Sequence, residues 1–180
     1  MKLNTRDIIL CSLFAAIIAV LAQISIPIQP VPFTFQVIGV ALAGTVLGPK
    51  KGFISVVLYI LLGAIGAPVF AGMKGGIQML VGPTGGFLMA FPFMALIIGY
   101  FTEKNNKVTY IFLGGLLGLI LSYLLGSIQL SFVAKISYTK ALTLGVLPFI
   151  VFDLIKLSMV AIIGVKIKKT LSLRQGFYSQ

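Results

Sequence analysis

The chain has 180 residues, 59% hydrophobic and 9% charged, with fourteen basic residues against three acidic ones. Soluble domains carry about 25% charged residues, and a short chain cannot hide this much apolar surface in its interior. A soluble enzyme is excluded, and so is a disordered chain, which would be poor in apolar residues. What remains is an all-α, polytopic membrane protein, a single transmembrane domain over residues 1–180.

Residues 8–49 carry no charge. The stretch Ile26-Pro27-Ile28-Gln29-Pro30-Val31-Pro32 divides that run, because proline lacks a backbone donor and disfavours helix in the residue before it. The pattern predicts a first helix near 7–26 and a short second one near 34–48. Further apolar runs predict helices over 52–71, about 84–101, about 109–132 and about 142–165. A bilayer core of about 30 Å needs roughly 20 apolar residues per helix, so six transmembrane helices are expected. Lys2 and Arg6 ahead of an apolar run resemble a signal peptide, but the run is longer than a usual signal core and is read as a retained helix.

Charge placement orients the bundle. With a cytoplasmic N-terminus, ten of the fourteen basic residues fall in inner segments and three (Lys74, Lys135 and Lys140) in outer ones, while Lys156 lies inside the sixth run. Inner enrichment in Lys and Arg is the usual topology signal, so both termini are expected to be cytoplasmic. The basic residues cap apolar runs and form no stripe interleaved with aromatics, so no nucleic acid partner is expected.

Catalytic chemistry finds few groups. The sequence holds no His and one Cys, Cys11, which removes His-based metal sites, disulfides and Ser-His-Asp or Cys-His catalysis. The acidic residues Asp7, Glu103 and Asp153 are far apart, and no P-loop occurs. The chain is expected to be no enzyme, with neither catalytic nor metal-ligating residues. Energised work would draw on an ion gradient or another subunit.

Asp153 and Lys156 are the sharpest signal, since each costs about 2.5–3.5 kcal/mol at the centre of a membrane helix. Spaced i, i+3, they share a helix face. Intramembrane ionisable residues mark substrate or proton paths; the alternative is an ion pair that only locks the bundle. The glycine-rich segments Gly72-Met73-Lys74-Gly75-Gly76-Ile77-Gln78 and Gly82-Pro83-Thr84-Gly85-Gly86-Phe87 allow close backbone approach to a ligand, or form a re-entrant loop. The stiff Pro30-Val31-Pro32-Phe33-Thr34-Phe35-Gln36 can cap an apolar ligand or serve as an interfacial linker. Ser12, Ala15, Ala19 and Ala22 line one side of the first helix. With Gly44, Gly48 and Gly52, and Gly114 with Gly118, they suit close helix packing. Tyr59, Tyr100, Tyr110, Tyr123 and Tyr138 mostly sit near the expected helix ends, as interfacial anchors do.

Together these segments resemble the biotin-binding membrane components, the BioY family, of energy-coupling factor (ECF) vitamin transporters. The matching text is the 30–36 segment, Gly44-Thr45-Val46-Leu47-Gly48-Pro49-Lys50-Lys51-Gly52, Gly66-Ala67-Pro68-Val69-Phe70-Ala71-Gly72, Gly82-Pro83-Thr84-Gly85-Gly86-Phe87 and Asp153-x-x-Lys156, in order over residues 12–157. The resemblance implies high-affinity biotin uptake across the cytoplasmic membrane of a prokaryote, with a transmembrane coupling subunit and two ATPase subunits as partners. Biotin would be a transported ligand, and no cofactor is expected. Ala15 and Ala19 would dock on the coupling subunit, and Asp153 and Lys156 would contact the vitamin. Asp153 can accept urea N–H groups, and Lys156 can donate to the urea carbonyl or to the carboxylate. Thr84, with the backbone of Gly85 and Gly86, can hold the other polar end. Phe33, Phe35 and Phe87 can cover the rings, with Gln36 and Gln78 as neutral polar contacts. Phe87 stands where the family often carries Tyr, so no ring hydroxyl is offered there. The other reading is a stand-alone, ion-coupled carrier of a small polar solute, with Asp153 as its proton site.

Overall fold

In the computed structural model of the chain, residues 4–177 are described, with side chains through residue 170. The order is α1 (Thr5–Gln23), β1 (Ser25–Ile26), β2 (Phe33–Thr34), α2 (Gln36–Ala64), α3 (Gln78–Val81), α4 (Gly85–Lys104), α5 (Val108–Ala134), α6 (Tyr138–Gly145) and α7 (Ile150–Phe177). α1 starts two residues before its expected position because Asn4 and Asp7 cap it reciprocally: the Asp7 N–H donates to Asn4 Oδ1 at 2.8 Å and the Asn4 N–H to Asp7 Oδ2 at 3.4 Å. It ends at Gln23. Beyond it, Ser25 and Ile26 pair antiparallel with Thr34 and Phe33 across the proline-rich loop.

α2 reverses direction part-way along its length. Gly48 lies at φ 80°, ψ −179°, followed by Pro49, a left-handed φ that favours glycine. The Gln36 side chain reaches Tyr59 at 2.6 Å, whereas a straight helix would hold residues so far apart in sequence about 1.5 Å per residue from each other. A Cβ on Gly52 would stand 2.9 Å from Gly44 Cα. α2 is therefore a hairpin of two short arms pressed together where both carry glycine, and its turn falls between the second and third expected helices.

The third helix stops at Ala64, short of the expected 71. Gly66, at φ 106°, and Pro68 end it, and residues 65–77 form a loop. The sixth expected helix is instead a bent pair, α6 and α7, meeting at 52° across the Val146–Phe149 break, where Pro148 interrupts the backbone bonding.

α4 sits at the centre, packed on α2 and α5, while α1 lies against α2, and α7 packs on α2 and α5. Ala90, Met94, Ala95 and Ile98 of α4 are completely buried. Gly118 and Gly114 of α5 press on Met94 and on Ile98 and Phe101 of α4, so their spacing serves packing. Large apolar side chains stay outside, among them Ile9 and Val20 of α1, Leu117 and Leu124 of α5, and Val151 and Ile155 of α7. Among the described residues four helical segments, α2 taken over its whole length, are long and apolar enough to cross a membrane, or up to five if the bent pair counts as one span. The chain is a multi-pass membrane protein, with lipid as the natural solvent for that outer surface.

Candidate functional site

Asp153 and Lys156 are 4% and 5% exposed, and their burial is matched by pairing. Lys156 Nζ donates to Asp153 Oδ1 at 2.8 Å and to the Thr34 carbonyl at 2.6 Å, and lies 3.9 Å from the centre of the Phe33 ring. The hydroxyl of Tyr123, from α5, donates to Asp153 Oδ2 at 2.8 Å. The bend before α7 has a local consequence: it places Asp153 in the first turn of a new helix, where the helix dipole favours negative charge. Phe33 also stacks on Phe149 at 6.4 Å and meets Phe35 and Phe152 edge-on at 5.9 and 5.3 Å. The 30–36 loop thus closes over the charged pair as an aromatic cover.

These groups form part of the wall of a cavity of about 410 Å³, within the size range of small-ligand sites. Of the ligand-binding residues expected from sequence, Asp153, Lys156, Thr84, Phe87 and Gln36 line it. Phe33 and Phe35 stand behind the wall, facing the Lys156 ammonium at 3.9 and 5.6 Å. Gly85 and Gly86 are packing positions: a Cβ on Gly85 would strike the Leu80 carbonyl, and one on Gly86 the Leu125 carbonyl. The Gly85 N–H already donates to the Gly82 carbonyl at 3.1 Å. Gln78 turns its amide to the Gly75 carbonyl at 2.8 Å and lies outside the cavity wall.

The chain matches the BioY family model over residues 1–173. It belongs to the BioY family. A relative named biotin transporter BioY, from Thermotoga maritima, is 47% identical over 164 residues, covering 91% of this chain and 96% of that protein. A probable biotin transporter BioY from Pyrococcus horikoshii is 46% identical over 166 residues, covering 92% and 98%. Among solved structures, the S-component for biotin from an ECF-type ABC transporter superposes with a TM-score of 0.85 at 32% identity, covering 93% of this chain and 95% of that one.

Within this BioY chain, several working residues escaped sequence reasoning. Tyr59 and Tyr123 were expected as interfacial anchors, but Tyr59 is fully buried. Its hydroxyl accepts from Gln36 and donates to the Val69 carbonyl at 3.2 Å. Gln23, at the end of α1, clasps the loop after α2: its Nε2 lies 3.1 Å from the Ala19 carbonyl and 3.2 Å from those of Val69 and Phe70, while its Oε1 accepts the Met73 N–H at 2.9 Å. Gln129 similarly holds the Leu80 and Gly82 carbonyls at 2.7 and 2.8 Å, fixing the segment ahead of Thr84. A polar residue inside an apolar run was the available signal for both glutamines. On α1, Ala15 is 1% exposed and sits in the chain's own core, Ala22 is fully buried and Ala19 half-buried. Ala15 therefore offers no surface to a partner in this conformation; the small residues turned outward are Ser12 and Ala16.

Proposed function

We propose that this chain binds biotin with high affinity as the substrate-specific component of an ECF-type transporter, the chain working as a single transmembrane unit. The observation that carries the reading is the buried Asp153–Lys156 pair on a cavity wall, in a chain 47% identical to a named biotin transporter. A carboxylate offers about four acceptor positions. Lys156 and Tyr123 use one on each oxygen, so Asp153 can still accept an N–H group of the biotin urea as a charge-assisted hydrogen bond. Val37, Phe87, Phe91 and Phe149 supply apolar wall for the bicycle and tail.

Counting each arm of α2 as a crossing, together with the bent α6–α7 pair, gives six transmembrane segments. Lys50, Lys51, Lys104 and Lys107 lie between crossings on the basic side, which supports cytoplasmic termini in a prokaryotic cytoplasmic membrane. Biotin would enter from the opposite face, where the 30–36 loop and residues 65–84 surround the cavity. Transport would rest on a transmembrane coupling subunit and two ATPase subunits, with α1 as the docking helix. Equilibrium binding of labelled biotin to the purified chain tests the reading. Saturable binding at one site per chain supports it; no binding by folded protein overturns it.

A further inference from the structure

The ionisable groups on the cavity wall are unequally placed. Asp153 and Lys156 are buried and neutralise each other, while Lys74 is an exposed wall residue. Among the described residues, no hydrogen bond or ion pair engages the Lys74 ammonium. Its backbone, by contrast, is held firmly. Lys74 and Phe70 exchange reciprocal backbone hydrogen bonds at 3.2 and 2.9 Å, and the neighbouring Met73 N–H is held by Gln23. A Cβ on Gly75 would lie 2.7 Å from the Gly66 carbonyl, so the loop is folded tightly on itself. Lys74 thus presents an unpaired, exposed cation from a fixed base.

A ligand carboxylate brought to the buried pair would face the like charge of Asp153. It would also compete for a Lys156 ammonium already directed at Asp153, Thr34 and the Phe33 ring. The buried part of the wall therefore suits a neutral group rich in N–H donors, and the exposed part suits an anion. On the biotin reading, on which this inference rests, we propose that Lys74 recognises the ligand's carboxylate and makes the site prefer the acid over its uncharged amide, while Lys156 stays with Asp153 and Thr34.

The test is calorimetric titration of the purified chain with biotin and with biotinamide, in which a primary amide replaces the carboxylate, at low and high salt. Wild type should bind biotin about tenfold more tightly than biotinamide, as expected for one charge-assisted contact, and salt should narrow the gap. Lys74→Met should lose that tenfold preference by weakening biotin alone, leave biotinamide affinity unchanged and keep the wild-type melting temperature. Lys74→Arg should retain the preference. A Lys74→Met chain that binds biotin as wild type does, or that weakens both compounds equally, overturns the assignment while leaving the biotin reading intact. A wild type that binds neither compound overturns the biotin reading itself, and this inference with it.

Discussion

The hydroxyl of Tyr123, on α5, donates to Oδ2 of Asp153, on α7, at 2.8 Å. Because Lys156 takes the other oxygen, the carboxylate is held at both ends and its orientation toward the cavity is set by two helices at once. Tyr123→Phe removes one of these holds without changing ring volume. It should lower stability by about 1–3 kcal/mol, the cost of leaving a buried acceptor short of a donor, and weaken biotin binding through a less ordered Asp153. Thermal melting in detergent with parallel biotin titration measures both; an unchanged melting temperature would show that the contact contributes nothing.

The charged pair separates binding from bundle locking. Asp153→Asn and Lys156→Met should each destabilise the chain by roughly 3–5 kcal/mol, since removing one member strands the other, and each should weaken biotin binding strongly. The double replacement should recover stability but not binding. A well-folded double variant with normal biotin affinity would remove the pair from the ligand site.

Topology is testable with single cysteines in a Cys11→Ser background. Gln29→Cys, Met73→Cys and Ser137→Cys should react with an impermeant reagent from outside, whereas Lys50→Cys and Asn105→Cys should not. Met73 is used because no side chain fits at Gly75, where a Cβ would also strike the Ala67 carbonyl. External labelling at position 105 contradicts the six-crossing arrangement.

Small residues on α1 divide by face. Ala16→Trp, on the exposed side, should weaken co-purification with the coupling subunit and leave biotin affinity unchanged. Ala15→Trp, in the core, should instead destabilise the chain itself by about 1–3 kcal/mol through overpacking. Normal co-purification of the Ala16 variant would place docking elsewhere.

The reversal in α2 requires contact between glycines. Gly52→Leu forces a side chain against the backbone of the opposite arm, 2.9 Å from Gly44 Cα at its first atom. The yield of folded, monodisperse protein should fall sharply, as size-exclusion chromatography would show, whereas Leu58→Ile on the same arm should be tolerated.

Much of this architecture was legible because breaks in apolar runs are local. The proline-rich loop and the Gly48–Pro49 turn carry their own backbone chemistry, and both fall where the pattern divides. The Val146–Phe149 bend did not announce itself, since the residues around Pro148 are as apolar as the helices on either side. Residues 65–71 read as helix for the same reason: apolar content hides a loop whose carbonyls are satisfied by Gln23 from another element. In the site, Asp153 and Lys156 stood out because charge in an apolar run is costly. Tyr123 did not, because an uncharged tyrosine inside an apolar run carries no comparable cost to mark it, and only the packing of α5 on α7 gives it a partner.

The clasp made by Gln23 has a mechanical consequence. One amide joins the last turn of α1 to both sides of the Phe70–Lys74 bridge, tying that helix end to that part of the rim. A tilt of α1 must carry the hairpin along or break the amide's hydrogen bonds to Val69, Phe70 and Met73. Anything that grips the outer face of α1 therefore holds a lever on the entrance, and the shaft of that lever is a single side chain.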